Sequence, residues 1–279
     1  DSATINKDAV APKLKHLLGR RASPDDLADR NILNIKDSVQ KRGDKLKIQT
    51  KLNTWFKGKQ QKKYVIFGSS LETLFEQSQL PVPVVVTECT EFLQMYGCKT
   101  EGLFRISAMQ SDIHKIVSTY RDPSSPIRLE MITQDPHCVA GVLKLFLREL
   151  KEPCFPFSVF DQLMEIIEEP DEEKRQKSYE RVLSSLPLPN RATLARIFYF
   201  LDKLSMHASK TKMTKQNLAI IFGPCLLSPR EVTPTTMLST KDREIIEDIL
   251  NMDYFKIFST DMLDKGMGGA ASSATQSNK

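Results

Sequence analysis

The sequence predicts an all-α protein, and three observations carry that prediction. Apolar residues recur three or four positions apart in several long segments, which is the spacing of one face of a helix. Runs that alternate strictly between apolar and polar residues, as half-buried strands do, are missing from the sequence. Of the 279 residues, 40% are hydrophobic and 27% are charged, which is typical of a packed globular domain.

The first predicted helix follows Pro81 and Pro83 and ends at Gly97. Its apolar residues at helical spacing are Val84, Val85, Cys89, Phe92, Leu93 and Tyr96. The valine run at 82–86 taken alone also suits a strand, but the later spacing favours a helix.

The second predicted helix, at residues 138–150, has the most regular pattern of the chain. It carries an apolar stripe with a period of about 3.6 residues, made of Val139, Val142, Leu143, Phe146, Leu147 and Leu150. Such a stripe indicates a helix that packs one face on the core.

Three more helices complete the prediction. One contains Leu194, Ile197, Phe198, Leu201 and Leu204 at helical spacing, and its predicted cap is Asn190, which follows Pro187 and Pro189. The next spans the apolar run 217–227, which ends before Pro229. The last contains Ile245, Ile246, Ile249 and Leu250. The fold class is therefore one multi-helix domain.

Composition divides the chain into four regions. Residues 1–33 form a short, charged, amphipathic helical motif, and residues 34–66 form a basic linker. The linker has ten Lys or Arg and two Asp, so its charge of +8 exceeds the +5 of the whole chain. Residues 67–258 must hold the core, while the polar composition of 259–279 predicts a disordered tail.

The composition and the spacing of residue types exclude several classes of protein. The sequence lacks an apolar run of about 18 residues, so it predicts no membrane span. It begins without Met or an apolar signal core, which predicts a fragment of a protein that is not secreted. Five scattered Cys and four dispersed His show no metal-ligand spacing, so we expect reduced thiols and no metal.

Arg105 is the first candidate functional residue. It follows Gly102 closely and stands between apolar neighbours, so the sequence places a forked, permanently charged side chain on a rigid stretch of backbone. Such a guanidinium suits a phosphate site on another molecule. The alternative is a solvated or salt-bridged arginine at the start of a helix.

Two basic residues and one amide accompany it. Lys144 and Arg148 are four residues apart, so they project from one face of the 138–150 helix. The alternative for this pair is a solvated face, on which Glu149 or Glu152 neutralises them. Asn217 begins an apolar helix, where it is either a cap or a surface amide without a partner.

Five blocks in this order resemble the GTPase-activating domain for Rho-family small GTPases, across residues 67–258. They are residues 67–71 (FGSSL), 100–107 (TEGLFRIS), 139–150 (VAGVLKLFLREL, running into Glu152 and Pro153), 186–190 (LPLPN) and 212–224 (KMT followed by NLAIIFGP). The second block resembles the family's arginine-finger loop. The order and spacing of all five make the resemblance specific.

The resemblance implies a role for each candidate. Arg105 would be the finger that enters the partner's nucleotide site, while Lys144 and Arg148 would dock the partner's switch regions and steady the loop. Asn217 would donate a hydrogen bond at the same interface. Magnesium and GTP would belong to the partner, so this chain needs no cofactor and is an activator without a complete active site. One departure is Cys225, where the family often carries Asn.

Residues 14–33 resemble the RPEL actin-binding motif, whose pattern is an arginine between two helices, an acidic–leucine pair and a trailing Arg-x-Ile-Leu. The motif's proline is Ala22 here, and its glutamate is Asp26. The resemblance implies contact with monomeric actin through Leu17, Leu18, Arg21, Leu27, Arg30 and Ile32. The alternative is a generic pair of short helices, of which Ser23 caps the second.

The functional prediction is a cytoplasmic activator of a Rho- or Rac-type GTPase, at the actin cytoskeleton or the membrane periphery. A further hypothesis is that actin bound to residues 14–33 regulates the activator. The first alternative is a catalytically weak scaffold that binds GTPases and actin. A nucleic-acid binder is disfavoured because few aromatic residues alternate with the basic ones. The linker alone suits a solvated segment, an import signal, or contact with actin or an anionic membrane.

Overall fold

The computed structural model describes residues 64–231 and 239–252 of the chain. Within these ranges every regular element is a helix, which confirms the all-α prediction. The chain divides into two units, residues 1–62 and 63–279, and the description below concerns the second. The predicted actin-binding residues, the linker up to residue 63 and the predicted tail lie outside the described residues.

Ten α-helices, one π-helical segment and one 3₁₀ turn make up the described part. In order they are α1 (Leu71–Ser78), α2 (Val84–Phe92), the π segment (Leu93–Gly97), α3 (Gln110–Val117), the 3₁₀ turn (Leu129–Met131), α4 (Pro136–Glu149), α5 (Phe157–Ile166), α6 (Glu172–Ser185), α7 (Leu188–Ser205), α8 (Ala208–Thr211), α9 (Lys215–Leu226) and α10 (Lys241–Asn251).

All five predicted helices are present, as α2 with its π extension, α4, α7, α9 and α10. Helix α4 begins two residues earlier than predicted, because Asp135 accepts a hydrogen bond from His137 N at 2.9 Å and Pro136 occupies the first turn. Helix α6 escaped the periodicity analysis because only Tyr179, Val182 and Leu183 of its 14 residues are buried.

The predicted cap of α7 is wrong. Helix α7 begins at Leu188 after Pro187, so Asn190 lies inside its first turn. Its side-chain nitrogen donates to Cys154 O at 3.0 Å, and the residue is buried. Because a proline already fixes the start of the helix, the amide instead binds a carbonyl in the loop before α5.

Helices α4 and α7 form the centre of the domain. Helix α4 contacts α2, α3, α9 and the π segment, and α7 contacts α1, α2, α9 and α10. Residues of α7 are buried on nearly all sides, including the side chain of Arg196. Its Nε donates to Thr90 Oγ1 at 2.8 Å, and its Nη2 lies 3.1 Å from Glu91 Oε1. A buried arginine with these partners ties α7 to α2.

The five cysteines are free thiols, as predicted, and Cys98 alone among them is partly exposed. In residues 64–231 and 239–252, no group of three His, Cys, Asp or Glu has the arrangement of a metal site. No helix in those same ranges is both long enough and apolar enough to cross a membrane.

We expect Gly223→Ala to destabilise the domain more than Gly141→Ala. At Gly223 a Cβ would lie 2.9 Å from Asp242 Oδ2 and 3.1 Å from Arg243 N, and a backbone atom of α10 yields less readily than the end of a side chain. At Gly141 it would lie 2.5 Å from Ile113 Cδ1 and 3.0 Å from Ile113 Cγ1, and both atoms belong to one side chain, which shifts more readily than backbone. Overpacking costs about 1–3 kcal/mol, and the gain in helix propensity offsets up to about 1 kcal/mol.

Urea denaturation of the two variants and the parent measures this difference. Gly141→Ala serves as the matched control, since it adds the same methyl group to a different helix pair. Equal denaturation midpoints for the two variants would contradict the close α9–α10 packing.

Candidate functional site

The candidate site is built around a turn in residues 98–107, here named the Arg105 loop. Gly102 has a φ of +66°, a conformation that suits glycine. A Cβ there would lie 2.8 Å from Ile106 Cδ1. Arg105 N and Ile106 N both donate to Gly102 O, at 2.9 and 2.8 Å. The glycine thus makes a tight turn whose end presents Arg105.

Phe104 anchors the loop in the core through its side chain. Its φ is +70°, which is unfavourable for a bulky residue and persists only where the surroundings fix it. Only 1% of Phe104 is exposed. Its ring contacts Phe200 of α7 and Phe222 of α9 edge to face, with centroids 6.0 and 4.9 Å away. The neighbouring residue, Arg105, therefore starts from a fixed backbone.

Arg105 itself is exposed to solvent. Within the described residues its guanidinium makes no ion pair, in contrast to Arg175 and Arg196, which are bonded to carboxylates. The salt-bridged alternative from the sequence analysis is therefore absent from this part of the chain. An exposed, unpaired guanidinium next to a buried anchor is available to an anion on another molecule.

Lys144 bonds directly to the Arg105 loop. Its Nζ donates to Phe104 O at 2.6 Å, although the two residues are 40 positions apart in the chain. The lysine is half-buried, and this burial lowers the pKa of its ammonium, with a smaller contribution from the positive charge of Arg148. The carbonyl that it bonds immediately precedes Arg105, so α4 fixes the backbone from which Arg105 projects.

Arg148 lies one turn further along α4 and is exposed. Neither Glu149 nor Glu152 forms an ion pair with it in the described residues, and Glu152 instead accepts from Phe157 N at 3.0 Å. Arg148 and Lys144 both lie close enough to Cys225 of α9 to affect its thiol.

Cys225 has a neutral thiol at this position. Burial raises its pKa to about 11, and the positive charges of Arg148 and Lys144 oppose that rise. Its Sγ donates to Ile221 O at 3.2 Å, within α9. Cys225, which stands where the family often carries Asn, is therefore 5% exposed and near both basic side chains.

Asn217 is neither the cap of α9 nor an amide without a partner, so both structural alternatives from the sequence were wrong, while its predicted contact with a GTPase stays a prediction. Thr214 is the cap, and its Oγ1 accepts from Asn217 N at 3.2 Å. The side-chain nitrogen of Asn217 donates to Lys212 O at 3.0 Å. Because Thr214 already caps the first turn of α9, the side-chain amide of Asn217 is free to bond the backbone of the preceding loop.

The four predicted site residues are thus linked through the Arg105 loop. Lys144 bonds the loop directly, Arg148 shares its helix face, and Asn217 bonds the segment before α9. That segment in turn bonds the loop, because Gly102 N donates to Thr211 O at 2.8 Å. The predicted actin-binding residues lie outside the described ranges.

Sequence reasoning missed three residues of this site. Ile106 and Ile220 are 49% and 46% exposed, which is unusual for isoleucine, and they lie beside Arg105 and one turn beyond Asn217. Thr211 is buried and bonds the Arg105 loop through its carbonyl. Ile220 stands in the continuous apolar run 218–222, where periodicity gives no signal for the outward face. Thr211 has no sequence signal at all, because it acts through its backbone.

Comparisons with known proteins find relatives that are similar over much of this chain. Rho GTPase-activating protein 15 of Rattus norvegicus is 29% identical over 260 residues, which cover 93% of this chain and 48% of that protein. Rho GTPase-activating protein 27 of Homo sapiens is 36% identical over 190 residues, covering 66% of this chain and 21% of that protein. The chain therefore spans less than half the length of these relatives.

A solved structure shares the fold. The crystal structure of human Rho GTPase activating protein 15 is 35% identical, with a TM-score of 0.65, and the match covers 71% of this chain and 93% of that one. The sequence profile of the RhoGAP domain matches residues 83–231, a range that includes Arg105, Lys144, Arg148 and Asn217. This chain belongs to the RhoGAP domain family.

Proposed function

We propose that this chain accelerates GTP hydrolysis by a Rho-family small GTPase and that Arg105 is the finger it supplies. The observation that carries the proposal is an exposed guanidinium, unpaired within the described residues, on a loop that is bonded to α4 and anchored in the core. Membership of the RhoGAP domain family and the names of the relatives support the same activity.

Arg105 would act by neutralising charge in the transition state. During hydrolysis, negative charge develops on the oxygens around the γ-phosphate, and a guanidinium donates hydrogen bonds to two of them at once. An arginine supplied in trans accelerates such reactions by about 10³–10⁵-fold, or roughly 4–7 kcal/mol of barrier. The nucleotide, its magnesium and the attacking water belong to the partner.

Lys144 would keep the finger preorganised. Its bond to Phe104 O fixes the backbone before Arg105, so the loop loses less conformational entropy when the complex forms. Arg148 would contact the partner directly, because it is exposed and the described residues offer it no carboxylate. Asn217 would contribute chiefly by holding Lys212 O, with the exposed Ile220 as the apolar contact on the same helix.

A panel of purified Rho-type, Rac-type and related small GTPases, each loaded with GTP, tests the activity. We expect substoichiometric amounts of the chain to accelerate phosphate release from at least one of them. Binding to a GTPase that carries a non-hydrolysable GTP analogue is measured in parallel. Binding without acceleration of any member would replace this proposal with the scaffold function.

We also propose that residues 14–33 bind monomeric actin, on the strength of their likeness to the RPEL motif. Binding is measured by fluorescence anisotropy of labelled residues 1–33 with monomeric actin, and Arg21→Ala is expected to weaken it. The regulatory hypothesis is tested separately, with the whole chain. If saturating actin leaves the acceleration of GTP hydrolysis unchanged, the two sites are not coupled.

A further inference from the structure

The Arg105 loop is held from a second side by Thr211, a residue that none of the five family-like blocks contains. Gly102 is buried, and its N–H donates to Thr211 O at 2.8 Å. Arg105 N and Ile106 N both donate to Gly102 O. Gly102, the first residue of the turn that carries Arg105, is therefore bonded to Thr211. The position of Thr211 O fixes the position of Gly102.

Thr211 is itself fixed by its side chain. The residue is fully buried. Its hydroxyl donates to His207 O at 3.1 Å and accepts from Met213 N at 3.2 Å. These two bonds join the start of the single-turn helix α8 to Met213, which is buried in the core just after it. The hydroxyl thus holds both ends of a short segment, residues 207–213, here named the α8 turn.

The α8 turn has a conformation that needs such support. Lys212 has a φ of +59°, a left-handed conformation that is costly for a residue with a side chain. Lys212 N donates to Ala208 O at 2.9 Å, and Lys212 O accepts from the Asn217 side chain at 3.0 Å. The carbonyl offered to Gly102 therefore depends on bonds made by Thr211 and by Asn217 around one strained residue.

We infer that Thr211 is a positioning residue for Arg105, an inference that rests on the proposed function. Its hydroxyl shapes the α8 turn so that Thr211 O holds Gly102 N, and the loop transmits this position to the backbone of Arg105. Misplacing a catalytic group by about 1 Å lowers a rate by as much as 10²-fold. Because Thr211 is buried, it acts on the hydrolysis step and not on docking of the GTPase.

Thr211→Val is the direct test, since valine keeps the shape and removes the hydroxyl. With a GTPase that responds to the parent chain, we expect the maximal rate of hydrolysis to fall about 10- to 100-fold. Affinity for the same GTPase carrying a non-hydrolysable GTP analogue is expected to stay within about twofold, whereas affinity for its GDP–aluminium fluoride form falls with the rate. Thr211→Ser, which restores the hydroxyl, is expected to recover most of the rate.

Two comparisons separate positioning from a general loss of stability. Thr90→Val removes another fully buried threonine hydroxyl, one bonded to Val86 O and Arg196 Nε, and it is expected to lower stability without changing the maximal rate. If Thr211→Val does not fold, Thr211→Ala replaces it, because its smaller side chain leaves space for a water to bond Met213 N.

The possible results are distinguishable. A parent chain that accelerates no GTPase overturns the proposed function, and the positioning role with it. An active parent with an equally active Thr211→Val variant overturns the positioning role alone. Equal losses in Thr211→Val and Thr90→Val, or in ground-state affinity and maximal rate, would also overturn it, because they indicate a structural effect only.

Discussion

Arg105→Ala is expected to lower the stimulated rate of GTP hydrolysis by about 10³–10⁵-fold. Alanine removes the guanidinium that would face the charge on the γ-phosphate. The backbone of the loop should stay in place, because Phe104 O is bonded by Lys144 and Gly102 N by Thr211 O. Single-turnover phosphate release with saturating chain measures the effect.

Two control variants show whether the loss of hydrolysis rate comes from the guanidinium of Arg105. Arg121→Ala removes another exposed arginine, from the loop after α3, and should leave the rate unchanged. Arg105→Lys keeps a positive charge but loses the forked pair of donors, so it should recover only part of the rate. Affinity for the GTPase in its ground state should change little in all three variants. An Arg105→Ala variant as active as the parent would remove Arg105 from the mechanism.

Phe104→Ala is expected to lower the free energy of unfolding by about 3–5 kcal/mol, the range for truncating a buried phenylalanine. The ring is 1% exposed and fills the space between Phe200 and Phe222. The strain at a φ of +70° remains, because alanine also disfavours a left-handed backbone. The variant therefore loses the packing of the ring, and the backbone strain at residue 104 is not relieved.

Urea denaturation measures this loss, and Phe104→Leu is the matched control. Leucine keeps most of the apolar volume, so its cost should stay below about 1.5 kcal/mol. At a temperature where Phe104→Ala is still folded, its stimulated hydrolysis should also be lower, since the backbone before Arg105 has lost its anchor. A midpoint equal to that of the parent would show that the ring contributes nothing to stability.

Helix prediction succeeded where the local pattern carried the signal. The stripe of α4 is buried along its length, so its period follows directly from the core that it contacts. Helix α7 was predicted too short because its first turn is set by prolines and by an asparagine that serves another loop. Helix α6 is mostly exposed and polar, and its short apolar face gave too few matches to a helical period.

For the candidate site, the sequence predicted residue identities better than it predicted their contacts. Arg105, Lys144 and Arg148 were predicted because a resemblance in sequence order identifies residue types at given spacings, and their roles stay a prediction. Asn217 was predicted in the same way, but its hydrogen bond to Lys212 O was not, since that bond joins a side chain to the backbone of the preceding loop. Thr211 escaped because neither its hydrophobicity nor its charge distinguishes it from other threonines.

The sequence by itself determined the helical class, the family resemblance and the place of Arg105 after a glycine turn. These follow from local spacing and from residue identities, which one chain read in order contains. Only the tertiary structure decided how that arginine is supported. The bonds from Lys144 Nζ to Phe104 O and from Gly102 N to Thr211 O join distant parts of the chain, and they form because the tertiary structure brings α4 and α8 next to the Arg105 loop. Long-range hydrogen bonds of this kind leave no periodicity, so they were beyond what the sequence could reveal.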